Sequence, residues 1–197
     1  MTDRFKRDLI INYNQKLLCI FAIDVSGSMR GNNIQTVNKF FNDFFSWVHD
    51  EEELMVKLEV AIMQYDEEVS ILREPRLLED GELPPTLTER GSVTETVMAI
   101  EEAIKLVEDR KAFYKATGQS YYRPWIIVMT DGEPYGNKAT QADIDAISLR
   151  IKKDIVVKKY NILGVGIGDD FNTEVLNKIT CGNFISMNSF NFHLLFR

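Results

Sequence analysis

The stretch from Leu17 to Gly31, LLCIFAIDVSGSMRG, constrains the fold more than any other part of the chain. Leu17 to Ile23 is entirely apolar and rich in branched and aromatic side chains, the pattern of a strand buried on both faces of a parallel sheet. The run then breaks into Asp24-Val25-Ser26-Gly27-Ser28, where every second residue carries a side-chain oxygen. Residues spaced by two in an extended segment project the same way, so Asp24, Ser26 and Ser28 can aim one carboxylate and two hydroxyls at one point. An all-oxygen set of low charge suits a hard cation, Mg2+ or Mn2+. After Gly31 the spacing becomes helical, which puts the cluster at the carboxyl end of a strand, where open α/β sheets hold their ligands. The pattern itself is short. Ordinary Asp and Ser usage gives one by chance in about one chain in twenty of this length, and the same residues are common in caps and turns. Its place at the exit of the most apolar strand is what gives it weight.

A second apolar strand, Trp125 to Met129, ends in Thr130-Asp131-Gly132-Glu133-Pro134, with Gly132 allowing a tight turn. A third, Asn161 to Gly168 (NILGVGIG), is followed by Asp169 and Asp170. Its glycines lie within the strand instead of opening a helix, so a dinucleotide-binding reading fails. Leu58 to Tyr65 and Val69 to Arg73 are separated only by Asp66-Glu67-Glu68, which makes them an antiparallel hairpin with the second strand on a sheet edge. Asn183 to Met187 reads as a final strand, and Asp8 to Tyr13 as a possible short extra one.

Helical spacing fills the intervals. Asn33 to His49 carries Ile34, Val37, Phe40, Phe41, Phe44, Phe45 and Val48 on one face, a core-facing stripe. His49 falls at the end of this helix, where a partly positive side chain is tolerated. Residues 74 to 93 are the least regular part, broken by Pro84, Pro85 and Gly91. They lead into Thr94-Glu95-Thr96-Val97 and a helix to about Lys115, with Ser92 or Thr94 at its start as a cap or as a further oxygen at the same sheet edge as Asp24. Thr140 caps a helix to Lys159, Asn172 to Ile179 forms a short one, and Ser189 to Arg197 begins another. Strands alternating with helices of this length predict a mostly parallel sheet covered on both faces, with six strands and six or seven helices.

Composition narrows the function. The 197 residues suit one domain spanning 1–197, and a net charge of −7 with no basic run argues against a nucleic-acid partner. Lys152, Lys153, Lys158 and Lys159 read as a solvated helix face. Cys19 lies inside the first strand as a small hydrophobe, and two distant cysteines, Cys19 and Cys181, form neither a metal motif nor a disulfide framework. No segment reads as a signal peptide or membrane span, so the expectation is a cytoplasmic protein without a membrane partner.

Asp24/Ser26/Ser28, then Thr94 in Thr94-Glu95-Thr96-Val97-Met98-Ala99-Ile100, then Asp131 in a Thr-Asp-Gly turn, resemble over the whole chain the von Willebrand factor A domain and its metal-ion-dependent adhesion site. The resemblance implies a Rossmann-like, doubly wound, six-stranded sheet with one antiparallel edge strand. It also implies a Mg2+ or Mn2+ site in which Ser26, Ser28 and Thr94 act directly and Asp24 and Asp131 largely through water. Ser92 stays a rival to Thr94, because Arg90-Gly91-Ser92-Val93 has fewer glycines than is usual before that threonine. The short lead, the TDGEP turn and the single-domain size are similar to the stand-alone bacterial tellurium-resistance TerY group. The implied function is metal-dependent recognition of another protein, which supplies an Asp or Glu carboxylate to a monomeric domain. The alternative is a Mg2+-dependent hydrolase or phosphatase built on Asp24. A second acid two residues on is missing for that chemistry, because Ser26 stands there. No G-x-S-x-G or P-loop is present, and neither histidine adjoins a candidate nucleophile.

Overall fold

Six strands form one sheet in the order β3-β2-β1-β4-β5-β6. The computed structural model describes residues 12–169 and 171–194. The strands are β1 (Leu17–Asp24), β2 (Leu58–Tyr65), β3 (Val69–Leu77), β4 (Trp125–Thr130), β5 (Asn161–Gly166) and β6 (Phe184–Ser186). All neighbours run parallel except β2 and β3, so the antiparallel strand is at the edge, as its three-residue connection requires. The expected mostly parallel, Rossmann-like sheet is therefore present.

Each strand of the centre serves two cores, because alternate side chains point to opposite faces. Cys19, Phe21 and Ile23 meet α1 (Asn32–Asp50) on one face, while Leu18, Ile20 and Ala22 meet α3 (Thr96–Thr117) and α4 (Gln141–Val156) on the other. The predicted aromatic stripe of α1 is core. Phe21 sits edge-on to Phe41 and Phe44, with centroids 5.1 and 5.4 Å away. The short α2 (Glu52–Met55) links α1 to β2, and α5 (Thr173–Thr180) packs on β5. The strand glycines explain that close approach. A Cβ at Gly164 would lie 2.9 Å from Leu176 and from Thr180, and one at Gly166 would collide with the Phe171 ring.

Several boundaries differ from the sequence reading, each for a physical reason. β3 continues through Pro75 to Leu77. Ile62 pairs with Arg73 and Val60 with Arg76, so Glu74 and Pro75 together oppose Ala61 in a bulge, where a missing N–H costs no ladder bond. The loop beyond is tied down by an ion cluster around buried Arg73. Arg73 donates to Glu82 from Nε (2.9 Å) and its terminal nitrogen (3.0 Å), and Arg76 joins at 2.7 and 3.0 Å. α3 begins at Thr96, so neither Ser92 nor Thr94 is its cap; the residue before it is Glu95, which makes no side-chain cap bond. α4 ends at Val156, followed by Lys158 in the left-handed region, and Thr140 does cap its start in a box with Asp143. His49 is half-buried in the last turn of α1, with Nε2 3.1 Å from the Glu79 carbonyl oxygen. After β6 the chain makes two short 3-10 turns, Met187–Ser189 and Phe192–Leu194, in place of the start of an α-helix. Phe190 and Phe192 close over the aromatic stripe, Phe192 lying 5.4 Å from Phe44. Five α-helices are present among the described residues. Asn12 and Tyr13 form no strand, and the rest of the possible extra strand lies outside the described residues, as do Asp170 and residues 195–197. No helix is long and apolar enough to cross a membrane among the described residues.

Candidate functional site

The strand order reverses at β1, which has β2 on one side and β4 on the other. Open α/β sheets bind ligands at such a switch point, beyond the carboxyl ends of the strands. The register aligns Ile23 with Met129, so the last residues of the two strands, Asp24 and Thr130, come level. The Thr130 hydroxyl donates to Asp24 Oδ2 at 2.7 Å, and the Ser26 N–H donates to Asp24 Oδ1 at 2.9 Å. Asp24, Ser26 and Thr130 are all buried.

From Ser26 a line of oxygens leads outward. Ser26 Oγ is 3.1 Å from Ser28 Oγ, and Ser28 Oγ donates to Asp131 Oδ1 at 2.8 Å. Asp131 is held from its other side by Asn33, whose Nδ2 donates to Oδ2 at 2.9 Å. Ser26 is extended and a short 3-10 turn follows over Gly27–Met29, so the spacing by two does bring both hydroxyls to one side. Gly27 lies against the Gly91 carbonyl, which a Cβ would approach to 3.1 Å.

The loop carrying Ser92 and Thr94 is fastened at three points. The Arg90 N–H donates to the Val25 carbonyl at 2.6 Å, the Glu95 N–H to the Asp66 carbonyl at 3.0 Å, and Arg90 Nε pairs with Asp66 at 3.0 Å. Thr94 is buried, and its N–H and carbonyl both bond Tyr135, four residues beyond Asp131 (2.7 and 3.0 Å). Ser92 is exposed. The fully buried Glu95 carboxylate accepts the backbone N–H groups of Asn137 and Lys138, so the loop after Asp131 is clamped onto the Thr94 loop. Tyr135 stands on this clamp, 68% exposed.

Burial pushes the Asp24 carboxyl up to about 6, against the Ser26 hydroxyl, the Ser26 N–H and the Thr130 hydroxyl, which favour the charged form; the nearby Asp131 charge adds to the rise. Burial also raises the phenol of Tyr65, the β2 residue in register with Asp24, with the Asp24 charge contributing. The Tyr65 hydroxyl and Thr96 Oγ1 are buried without a hydrogen-bond partner among the described residues. A buried carboxylate that resists ionisation, beside hydroxyls with unspent capacity, is the environment a hard cation would relieve. The donor set fits such an ion: two carboxylates and several hydroxyls, with no sulfur or imidazole. No group of three or more His, Cys, Asp or Glu side chains suited to a metal occurs among the described residues, so any site here depends on the hydroxyls.

Sequence reasoning singled out Asp24, Ser26, Ser28 and Asp131, and these form one hydrogen-bonded group, with Thr94 on the adjoining loop. It gave no role to Thr130, Asn33 or Glu95. Thr130 was visible only as part of the Thr-Asp-Gly turn, and the partners of Asn33 and Glu95 are about 100 and 42 residues away in sequence. A sequence profile of the von Willebrand factor type A domain matches residues 19–195. The chain belongs to that domain family. Among solved structures, this VWA domain is similar to the ArnB paralog VWA2 of Sulfolobus acidocaldarius, with 16% identity and a TM-score of 0.52, covering 89% of this chain and 42% of that one. The PilB minor pilin of Streptococcus sanguinis is similar at 11% identity and TM-score 0.63, covering 91% and 58%. The vWF domain of the type V pili tip protein Mfa5 of Porphyromonas gingivalis is similar at 14% and 0.56, covering 88% and 90%. The chain thus spans about half the length of the first two, and identities this low speak for the fold alone. No curated protein sequence matches the chain significantly.

Proposed function

We propose that this VWA domain recognises a protein partner through a divalent cation, Mg2+ or Mn2+, held by Asp24, Ser26, Ser28, Thr94 and Asp131, with a partner Asp or Glu carboxylate completing the site. The observation that carries the reading is the hydrogen-bonded chain in which the Ser26 N–H holds buried Asp24 and the Ser26 and Ser28 hydroxyls run on to Asp131, drawn from two loops at the switch point. When bound, such a cation supplies a Lewis-acidic centre that prefers an anionic oxygen. Thr130 and Ser26 hold Asp24 in place, Asn33 holds Asp131, and Glu95 holds the loop behind Thr94. Thr94 is favoured over Ser92 because it is buried and tied to the Asp131 loop. The domain would act as a monomer in the cytoplasm, and the tellurium-resistance or general stress setting rests on the TDGEP turn and single-domain size alone.

The enzyme reading is weaker. A nucleophilic carboxylate needs a free oxygen facing substrate, and both oxygens of Asp24 are engaged inside the protein. Thermal melting tests the site. At a hundredfold excess over its Kd, Mg2+ should stabilise the wild type by about 2.7 kcal/mol, roughly 5–10 °C at this size. Asp131→Ala should lose the shift while staying folded. Equal melting temperatures in millimolar Mg2+ and in EDTA would remove the metal from the proposal.

A further inference from the structure

A polar cleft of about 500 Å³ opens beside Asp131. Asn33 and Thr36 of α1, Asp131, Asp169 after β5, and Met187 and Asn188 after β6 are among its lining residues. Among the described residues, no lysine, arginine or histidine lines it. Asn33 forms the wall shared with the site: its amide nitrogen holds Asp131 and its oxygen lies against Gly168, where a Cβ would come within 3.3 Å. A residue seated in the cleft is therefore one side chain away from whatever the Asp24–Asp131 group binds.

We propose that this cleft receives a basic side chain, arginine or lysine, from the same partner segment whose carboxylate engages the Asp24–Asp131 site. The inference rests on the recognition reading above and specifies the partner it selects. Charge decides the occupant. Asp24, Asp131 and the partner's acid would bring three negative charges to one divalent ion, leaving one in excess. Asp169 adds another: it is exposed and has no ion pair or hydrogen bond among the described residues. The first turn of α1 opposes these with only roughly half a positive charge. A second acidic side chain is repelled there, and an apolar one finds only Ile167 and Met187 among walls that are otherwise mostly polar. A guanidinium or ammonium finds acceptors in Asp169 and in the side-chain oxygens of Asn188 and Thr36, whose hydroxyl already donates to the Asn32 carbonyl at 2.8 Å. The volume lies in the range of ligand sites and leaves room for the long stem of either basic residue.

The experiment is selection from a displayed library of short random peptides carrying one fixed central aspartate, captured in Mg2+ and eluted with EDTA. Arginine or lysine should be enriched at one offset from the aspartate, and a synthetic peptide of that sequence should bind about fivefold tighter than its alanine counterpart. Selection on Asp169→Asn combined with Asn188→Leu, with melting checked against wild type, should still recover EDTA-elutable peptides but without the basic preference. Recovery of acidic peptides with no basic enrichment, or the same enrichment on the double variant, overturns the cleft assignment and leaves metal-dependent recognition standing. No EDTA-elutable binding from the library overturns both.

Discussion

Replacing Asp24 by asparagine should make the metal-free protein more stable at neutral pH, although the residue lies at the centre of the proposed site. Asp24 is fully buried, and its carboxyl is pushed up to about 6 from an ordinary 3.8, chiefly by that burial. A carboxyl with a raised folded-state pKa favours folding while it keeps its proton. That contribution is complete below about pH 4 and is lost as pH rises through about 6. The two-unit difference corresponds to a penalty of about 3 kcal/mol at pH 7.5. Asparagine keeps the shape. Its oxygen can accept from the Ser26 N–H, and its amide can donate to Thr130 Oγ1, which lies 2.7 Å from the carboxylate oxygen it replaces. Part of the gain is lost because the Thr130 hydroxyl must then turn its proton elsewhere, so a net stabilisation of about 1–2 kcal/mol is expected. Urea unfolding of both proteins in EDTA between pH 4 and 8 measures it. The variant should match or fall below the wild type at pH 4 and exceed it above pH 6. In saturating Mg2+ the order should reverse, because only the wild type gains binding energy. A variant no more stable at pH 7.5, or a difference that does not change with pH, would refute the reasoning that Asp24 is held in a poorly solvated, cation-seeking state.

Two further outcomes are expected. Thr94→Ala should weaken Mg2+ binding at least tenfold by isothermal titration calorimetry, whereas exposed Ser92→Ala should change it less than about twofold; the reverse ranking would assign the loop oxygen to Ser92. Burial works to raise the Glu82 pKa, but the Arg73 hydrogen bond, the Glu79 N–H and the Arg73 and Arg76 charges together draw it down to about 2. Stability from this cluster is present above about pH 4.5 and lost as pH falls towards 2. Glu82→Gln should therefore cost about 2 kcal/mol at pH 7 and flatten the acid limb of the stability profile, read by denaturant melts at pH 7 and pH 3.

The sheet was legible because burial on two faces leaves a signature that local reading can use. Leu17 to Ile23 and Trp125 to Met129 are apolar without interruption, and such strands need parallel neighbours and helical crossovers. The carboxylates at their ends were legible for the same reason, since a strand that ends abruptly in Asp marks its own carboxyl edge. What could not be read was anything set by register between distant strands. Thr130 acquires its role only because β1 and β4 align Ile23 with Met129. The start of α3 was misplaced because Thr94 has the composition of a cap, while its backbone is committed to Tyr135. The strand β3 was ended at Arg73 because residues 74 to 93 read as irregular, and the bulge that accommodates Glu74 and Pro75 belongs to the pairing with β2 and not to the β3 sequence.

The arrangement of supports around the site carries a functional consequence. The groups facing outward, Ser28 and Asp131, are the more accessible ones, whereas Asp24, Ser26, Thr130, Thr94 and Glu95 behind them are buried. Glu95 is the clearest case: a fully buried carboxylate spends both oxygens on the N–H groups of the loop after Asp131. Leaving those N–H groups unpaired would cost about 1–3 kcal/mol each, so the loop is held in place before any partner arrives. A site fixed in this way loses little conformational entropy on binding, and Tyr135, carried on the same clamp, is presented as a rigid aromatic contact at the rim. Specificity can then change through exposed residues such as Tyr135, Asp169 and Asn188 without disturbing the oxygens of the centre. That division suits a domain whose central chemistry is constant and whose partners differ.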